Sequence, residues 1–150
     1  MKNIVIFDID RCILDPKERI HHYLNKDFET YESLWHTDTP IKQGVEVYKT
    51  FLNNDTWRCI FITSRREWAR ETTYKQLLML FGMRKFTLLM RPNDCTKEMK
   101  DDAAIKPWLL ERAGFSIHDV FIAFDDRQSV VDRWRELGVV CYQTAADAEA

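Results

Sequence analysis

Apolar positions along the 150-residue chain fall into two patterns that alternate from one end to the other. Five short runs, at 4–9, 59–63, 86–90, 120–124 and 139–142, are rich in β-branched and aromatic residues and predict strands. Between most of them the apolar spacing is helical. Val45, Tyr48, Phe51 and Leu52 share one helical face, and Trp68, Thr72, Gln76 and Leu80 share another. The second of these helices is expected to stop at Gly82 in a left-handed cap. Pro107 reads as a first helical residue, with a helix over 108–113 that ends at Gly114. Val130, Val131, Trp134 and Leu137 form the inner face of a last helix that ends at Gly138. Strands alternating with helices imply right-handed crossovers, and so a single three-layer α/β domain with a central five-stranded parallel sheet.

Residues 15–44 break this rhythm. The stretch is polar, carries His21, His22, Tyr23, Phe28, Tyr31, Trp35 and His36, and is too long for an ordinary strand-to-helix loop. It is expected to form a small helical, cap-like insert that shields the strand ends. Its histidines lack a second set at ligand spacing, so exposed or packing roles are expected for them.

Composition changes the picture little. With 45% hydrophobic and 13% aromatic residues, the chain can bury the core of one domain. No apolar run reaches the roughly 18 residues of a membrane span. Met1-Lys2-Asn3 leads straight into a strand, so a soluble cytoplasmic protein is expected. Cys12, Cys59, Cys95 and Cys141 are scattered with no C-x-x-C pair, which argues against a zinc site or disulfide framework. Cys59 and Cys141 read as buried thiols. A formal charge of −2 gives no sign of a general nucleic-acid binder, although Arg65, Arg66, Arg70, Arg84 and Arg91 gather locally.

The chemistry concentrates where strands end, which is where open α/β sheets bind ligands. VIFDID ends the first strand with Asp8 and Asp10; ionised carboxylates crowded there need a cation or a shared proton. The second strand offers Thr63 and Ser64, and the fourth Asp125 and Asp126. Lys106 precedes Pro107, where a helix start would add its own positive end to the ammonium charge. Local alternatives exist: Ser64 and Glu67 fit a capping box, and Asp126 fits an N-cap.

The order Asp-x-Asp, Thr/Ser, Lys, Asp-Asp resembles the haloacid dehalogenase superfamily of phosphohydrolases, a Rossmann-like fold. Within it, the chain is similar to the 3′-phosphatase domain of bacteriophage polynucleotide kinase. The segments IAFDDRQSVVDRWRELGVVCYQ, KDDAAIK and FITSR carry the likeness. No Gly-x-x-x-x-Gly-Lys loop occurs in these 150 residues, so no kinase half is expected among them. The resemblance implies Asp8 as nucleophile forming an aspartyl-phosphate, and Asp10 as acid and then base. It implies Thr63 as a phosphoryl hydrogen-bond donor and Lys106 as neutralising charge. Asp8, Asp10, Asp125 and Asp126 would hold Mg²⁺, and Ser64, Arg65, Arg19 and Asp102 would serve the substrate. The chemistry is consistent with those roles, because a carboxylate can attack a dianionic phosphate only when cations offset the repulsion. Mg²⁺ also prefers oxygen ligands.

The chain departs from the superfamily where Gly-Thr usually follows the second aspartate. Here Arg11 and Cys12 stand instead, which removes a glycine's freedom and exchanges a hydroxyl for a weak thiol donor. The reading is an Mg²⁺-dependent phosphomonoesterase acting on nucleic-acid 3′-phosphate ends or nucleotides, with no membrane or protein partner implied. A small-molecule nucleotidase or a general phosphatase is the enzymatic alternative. A non-catalytic end-binding protein and a phospho-acceptor module are the others.

Overall fold

In a computed structural model of the chain, residues 1–94 and 101–147 are described. Cys95, Lys97 and Lys100 lie outside them. The central strand is β1 (Ile4–Phe7), whose residues are all buried, with Val5 and Phe7 facing one side and Ile4 and Ile6 the other. It pairs in parallel with β4 (Arg58–Arg66) and β6 (Val120–Asp125), and β5 (Thr87–Arg91) and β7 (Cys141–Gln143) complete a five-stranded sheet ordered β5-β4-β1-β6-β7. Burial on both faces explains why these runs are continuously apolar.

One core lies under α3 (Lys42–Leu52) and α4 (Arg70–Phe81) and contains Phe7, Tyr48, Phe61, Leu77 and Phe81. The other lies under α5 (Asp102–Arg112) and α6 (Gln128–Glu136) and contains Ile6, Ile62, Ile105, Leu110 and Trp134. The result is the expected three layers. Within 15–44 the chain forms α1 (Ile20–Leu24), α2 (Phe28–Ser33) and a 3-10 turn at Trp35–Thr37. A two-residue antiparallel pairing of β2 (Leu14–Asp15) with β3 (Thr39–Pro40) closes the segment.

Several local expectations are corrected. Trp68 falls in a 3-10 turn (Glu67–Ala69), so α4 begins at Arg70 and turns Thr73, Leu77 and Phe81 inward; Thr72 is exposed. Ser64 is no cap: β4 runs on through it to Arg66, and Glu67 binds Arg70 instead. Asp126 is not an N-cap either, since Arg127 holds that position. Pro107 is not the first residue of its helix. The Asp101 carboxylate caps the Ala103 N–H at 3.0 Å, and α5 starts five residues before the proline. The proline then sits inside the helix, where the bond lost is the one to the Ala103 carbonyl. Lys106 is therefore mid-helix and gains nothing from a helix N-terminus.

Gly44 shows why α3 lies where it does. A Cβ there would stand 1.9 Å from the Cys12 carbonyl oxygen, so only glycine lets the helix touch the loop after β1. One turn later the Tyr48 hydroxyl donates to the Asp8 carbonyl at 2.8 Å. The back of the Asp-x-Asp loop is thereby held by a helix.

Candidate active site

Asp8 is the first residue past β1 and still donates its N–H to Phe124 in the neighbouring strand, at 3.1 Å. This fixes its carboxylate beside the end of β6. Lys106 reaches between the two strands and donates to Asp8 Oδ1 at 2.9 Å and to Asp125 Oδ2 at 2.5 Å, all three groups being buried. Burial works against the ammonium charge, but Asp125 and Asp8 outweigh it and hold the Lys106 pKa well above its ordinary value. The Asp125 carboxyl is pushed up to about 7 by burial and by the charge of Asp8. The same two causes push Asp126 up to about 9. Asp8 and Asp125 share one lysine and Asp126 has Arg11 at 3.6 Å, so the repulsion among the three carboxyls is only partly offset.

Ligand atoms of Asp8, Cys12 and Asp126 lie within 4.8 Å of one another. The hard oxygen donors fit a divalent cation such as Mg²⁺, which would also relieve the repulsion that raises Asp125 and Asp126. Cys12 is a poor ligand beside them: burial and the Asp8 charge hold its thiol well above the usual range, and it bonds Thr144 Oγ1 at 2.9 Å. Neither Asp10 nor Asp125 contributes a side-chain atom to this group: Asp10 is held elsewhere, and Asp125 meets Asp8 through Lys106.

Asp10 belongs to a second cluster. β4 pairs irregularly with β5 between Thr63 and Arg66, and a bulge of this kind re-aims side chains. Arg65, 3% exposed, donates to both Asp10 oxygens at 2.7 and 3.1 Å, to Asp38 at 2.9 Å, and to Thr73 and Gln76. Arg19, fully buried, donates to Asp10 at 3.2 Å, to Asp38 at 2.7 and 3.0 Å and to the Tyr31 carbonyl. Burial opposes ionisation of Asp10, but Arg65 and then Arg19 prevail and hold its pKa below the usual value. The donors of Arg19 and Arg65 are thus committed to protein acceptors, and both residues hold Asp10 and anchor residues 15–44.

Thr63 is buried and accepts the Arg65 N–H at 3.1 Å. Ser64 presents its carbonyl to Arg91 at 3.2 Å. Asp102, first residue of α5, is paired with Arg91 and lies 3.2 Å from Arg127. Its place is therefore an arginine bridge between β5 and α6, beside the site.

Three contributors escaped sequence reasoning. Asp38 completes the arginine cluster from the far end of the irregular segment, and Gln76 and Tyr48 act from helix faces read as core. Nothing local marks Asp38, because its role exists only once Arg19 and Arg65 meet.

Residues 2–148 match the family of the polynucleotide kinase PNKP phosphatase domain. No curated protein sequence matches the chain. Among solved structures, Pnkp1 of the Pnkp1/Rnl/Hen1 RNA repair complex is 24% identical with a TM-score of 0.74, over 99% of this chain and 44% of that one. SP0104 from Streptococcus pneumoniae, a haloacid dehalogenase-like hydrolase, is 10% identical with a TM-score of 0.64, over 98% and 88%. The chain spans less than half the length of Pnkp1. Matched from end to end by one family and sharing the fold of these neighbours, it belongs to the PNKP phosphatase-domain family of haloacid dehalogenase phosphatases.

Proposed function

We propose that this protein is an Mg²⁺-dependent phosphomonoesterase that removes phosphate from nucleic-acid 3′ ends through an aspartyl-phosphate on Asp8. The observation that carries the reading is the wedge of Lys106 between Asp8 and Asp125, with Asp126 alongside. Asp8, Asp125 and Asp126 would hold the ion, which supplies positive charge that offsets the phosphate dianion. Lys106 adds a fixed ammonium group and orients Asp8 through Oδ1, while Oδ2, which takes only a weak bond from the Cys12 thiol at 3.5 Å, would attack phosphorus. Attack forms the Asp8–phosphorus bond and breaks the bond to the sugar oxygen, which takes a proton from Asp10. The approaching dianion raises the proton affinity of Asp10 for that first half. In the second half Arg65 and Arg19 favour ionised Asp10, the form that draws a proton from water as it opens the intermediate.

The nucleic-acid part of the proposal rests on the family and on the RNA repair setting of its Pnkp1 neighbour. Residues 15–44 would act as a small cap over the site, and no helix among the described residues is long and apolar enough to cross a membrane. The test is phosphate release from matched 3′- and 5′-phosphorylated oligonucleotides, nucleoside 3′-phosphates and glycerol phosphate, each with Mg²⁺ or with chelator. Preference for the 3′-phosphorylated oligonucleotide, abolished by chelator, is expected. Equal rates on all four substrates would reduce the protein to a general phosphatase.

A further inference from the structure

We propose that Arg11 is a substrate-binding residue that donates its Nη1–H to an oxygen of the phosphoryl group; this rests on the phosphatase reading above. The first observation is backbone geometry. Arg11 has φ 65°, in the left-handed region that glycine enters freely and an arginine does not. The turn is held there from both sides. Arg11 N–H donates to the Leu14 carbonyl at 2.8 Å, Cys12 N–H donates to Ile9 at 3.2 Å, and Gly44 brings α3 against the Cys12 carbonyl. Strain of this kind persists where its surroundings over-determine it, and it collects at functional sites.

The second observation concerns the side chain. Arg11 Nη1 is buried and has no hydrogen-bond partner. It lies 3.6 Å from Asp126 Oδ2, close enough for charge attraction and too far for a hydrogen bond. The Nη1 donor is shut off from water although the side chain as a whole is 28% exposed, and a donor so placed without an acceptor is costly and calls for a ligand that supplies one. The groups around it narrow the choice. Asp126 is in the same cluster as Asp8 and Cys12, with Asp125 and Lys106 beyond Asp8. An anion placed against Asp8 would have Lys106 on Asp8 itself and Arg11 beside the adjoining Asp126. Arg11 thus supplies the donor fork suited to phosphate oxygens. It stands where the superfamily's usual glycine has no side chain at all.

Arg11→Gly tests this, because it removes the donor and relieves the backbone together. Orthovanadate is the probe, titrated calorimetrically into protein with Mg²⁺, alongside thermal melting without vanadate. Loss of a charged hydrogen bond predicts that Arg11→Gly weakens vanadate about tenfold or more, and that Arg11→Lys restores part of the affinity. The melting temperature of Arg11→Gly should hold or rise. Equal or tighter vanadate binding by Arg11→Gly, with wild type binding normally, overturns the assignment to Arg11 and leaves the phosphatase reading standing. A wild-type protein that binds no vanadate overturns both. Arg11→Gln keeps the length without the charge, so it reads the same loss should the glycine variant melt early.

Discussion

At the scale of residues, the site is a charge problem before it is a catalyst. Asp8 and Asp125 share one lysine with Asp126 close to Asp8, and burial leaves a cation or a retained proton to relieve the crowding. Lys106→Ala should therefore abolish turnover and also destabilise the fold in chelator by about 3–5 kcal/mol, because Asp8 and Asp125 would lose their shared partner. Denaturant unfolding checks the second effect independently of activity. A second expectation follows from Asp126, whose folded pKa of about 9 lies far above that of a free carboxylate. At neutral pH the folded protein holds a proton that the unfolded chain releases, so stability in chelator should fall as pH rises towards 9. A divalent cation must expel that proton, so Mg²⁺ affinity should increase from pH 7 to 9 with protons released. Calorimetry in buffers of different ionisation enthalpy measures both. Candidate residues Asp8, Asp125 and Asp126 were legible at strand ends, and Lys106 through residue order alone, since the helix start expected at Pro107 lies five residues upstream. Asp38 was not, since its importance comes from burial beside two arginines.

At the scale of elements, the same lesson has a different cause. Strand positions were readable from continuous apolar runs because both sheet faces are covered. Helix starts were harder. Pro107 is favourable at a helix start and tolerable one turn and a half inside, and only the Asp101 cap, far upstream, decides between them. Likewise Ser64 and Glu67 fit a capping box by spacing, yet pairing with β5 keeps Ser64 in the strand. Gly44 belongs to this scale, because its missing side chain lets α3 meet the loop after β1. Gly44→Ala would place a methyl group 1.9 Å from the Cys12 carbonyl oxygen and must push helix or loop away. A lowered melting temperature together with a large fall in kcat is expected. A stable, fully active variant would mean that the contact between α3 and the loop is dispensable.

At the scale of the whole molecule, the Asp10–Arg65–Asp38–Arg19 cluster joins the sheet to residues 15–44, so the proposed acid/base residue and the segment proposed to cover the site share one set of bonds. Breaking it should affect both. Asp38→Asn should loosen the segment, seen as faster amide hydrogen exchange over α1 and α2, and should shift the pH profile of kcat by altering what surrounds Asp10. Unchanged exchange and an unchanged profile would separate the cluster from catalysis. The central claim, though, is covalent. Protein mixed with an oligonucleotide carrying a radiolabelled 3′-phosphate, in Mg²⁺ and quenched in acid within one turnover, should carry label on the peptide containing Asp8. Asp8→Asn should carry none and release no phosphate. Phosphate release by Asp8→Asn at a rate near wild type would contradict the account.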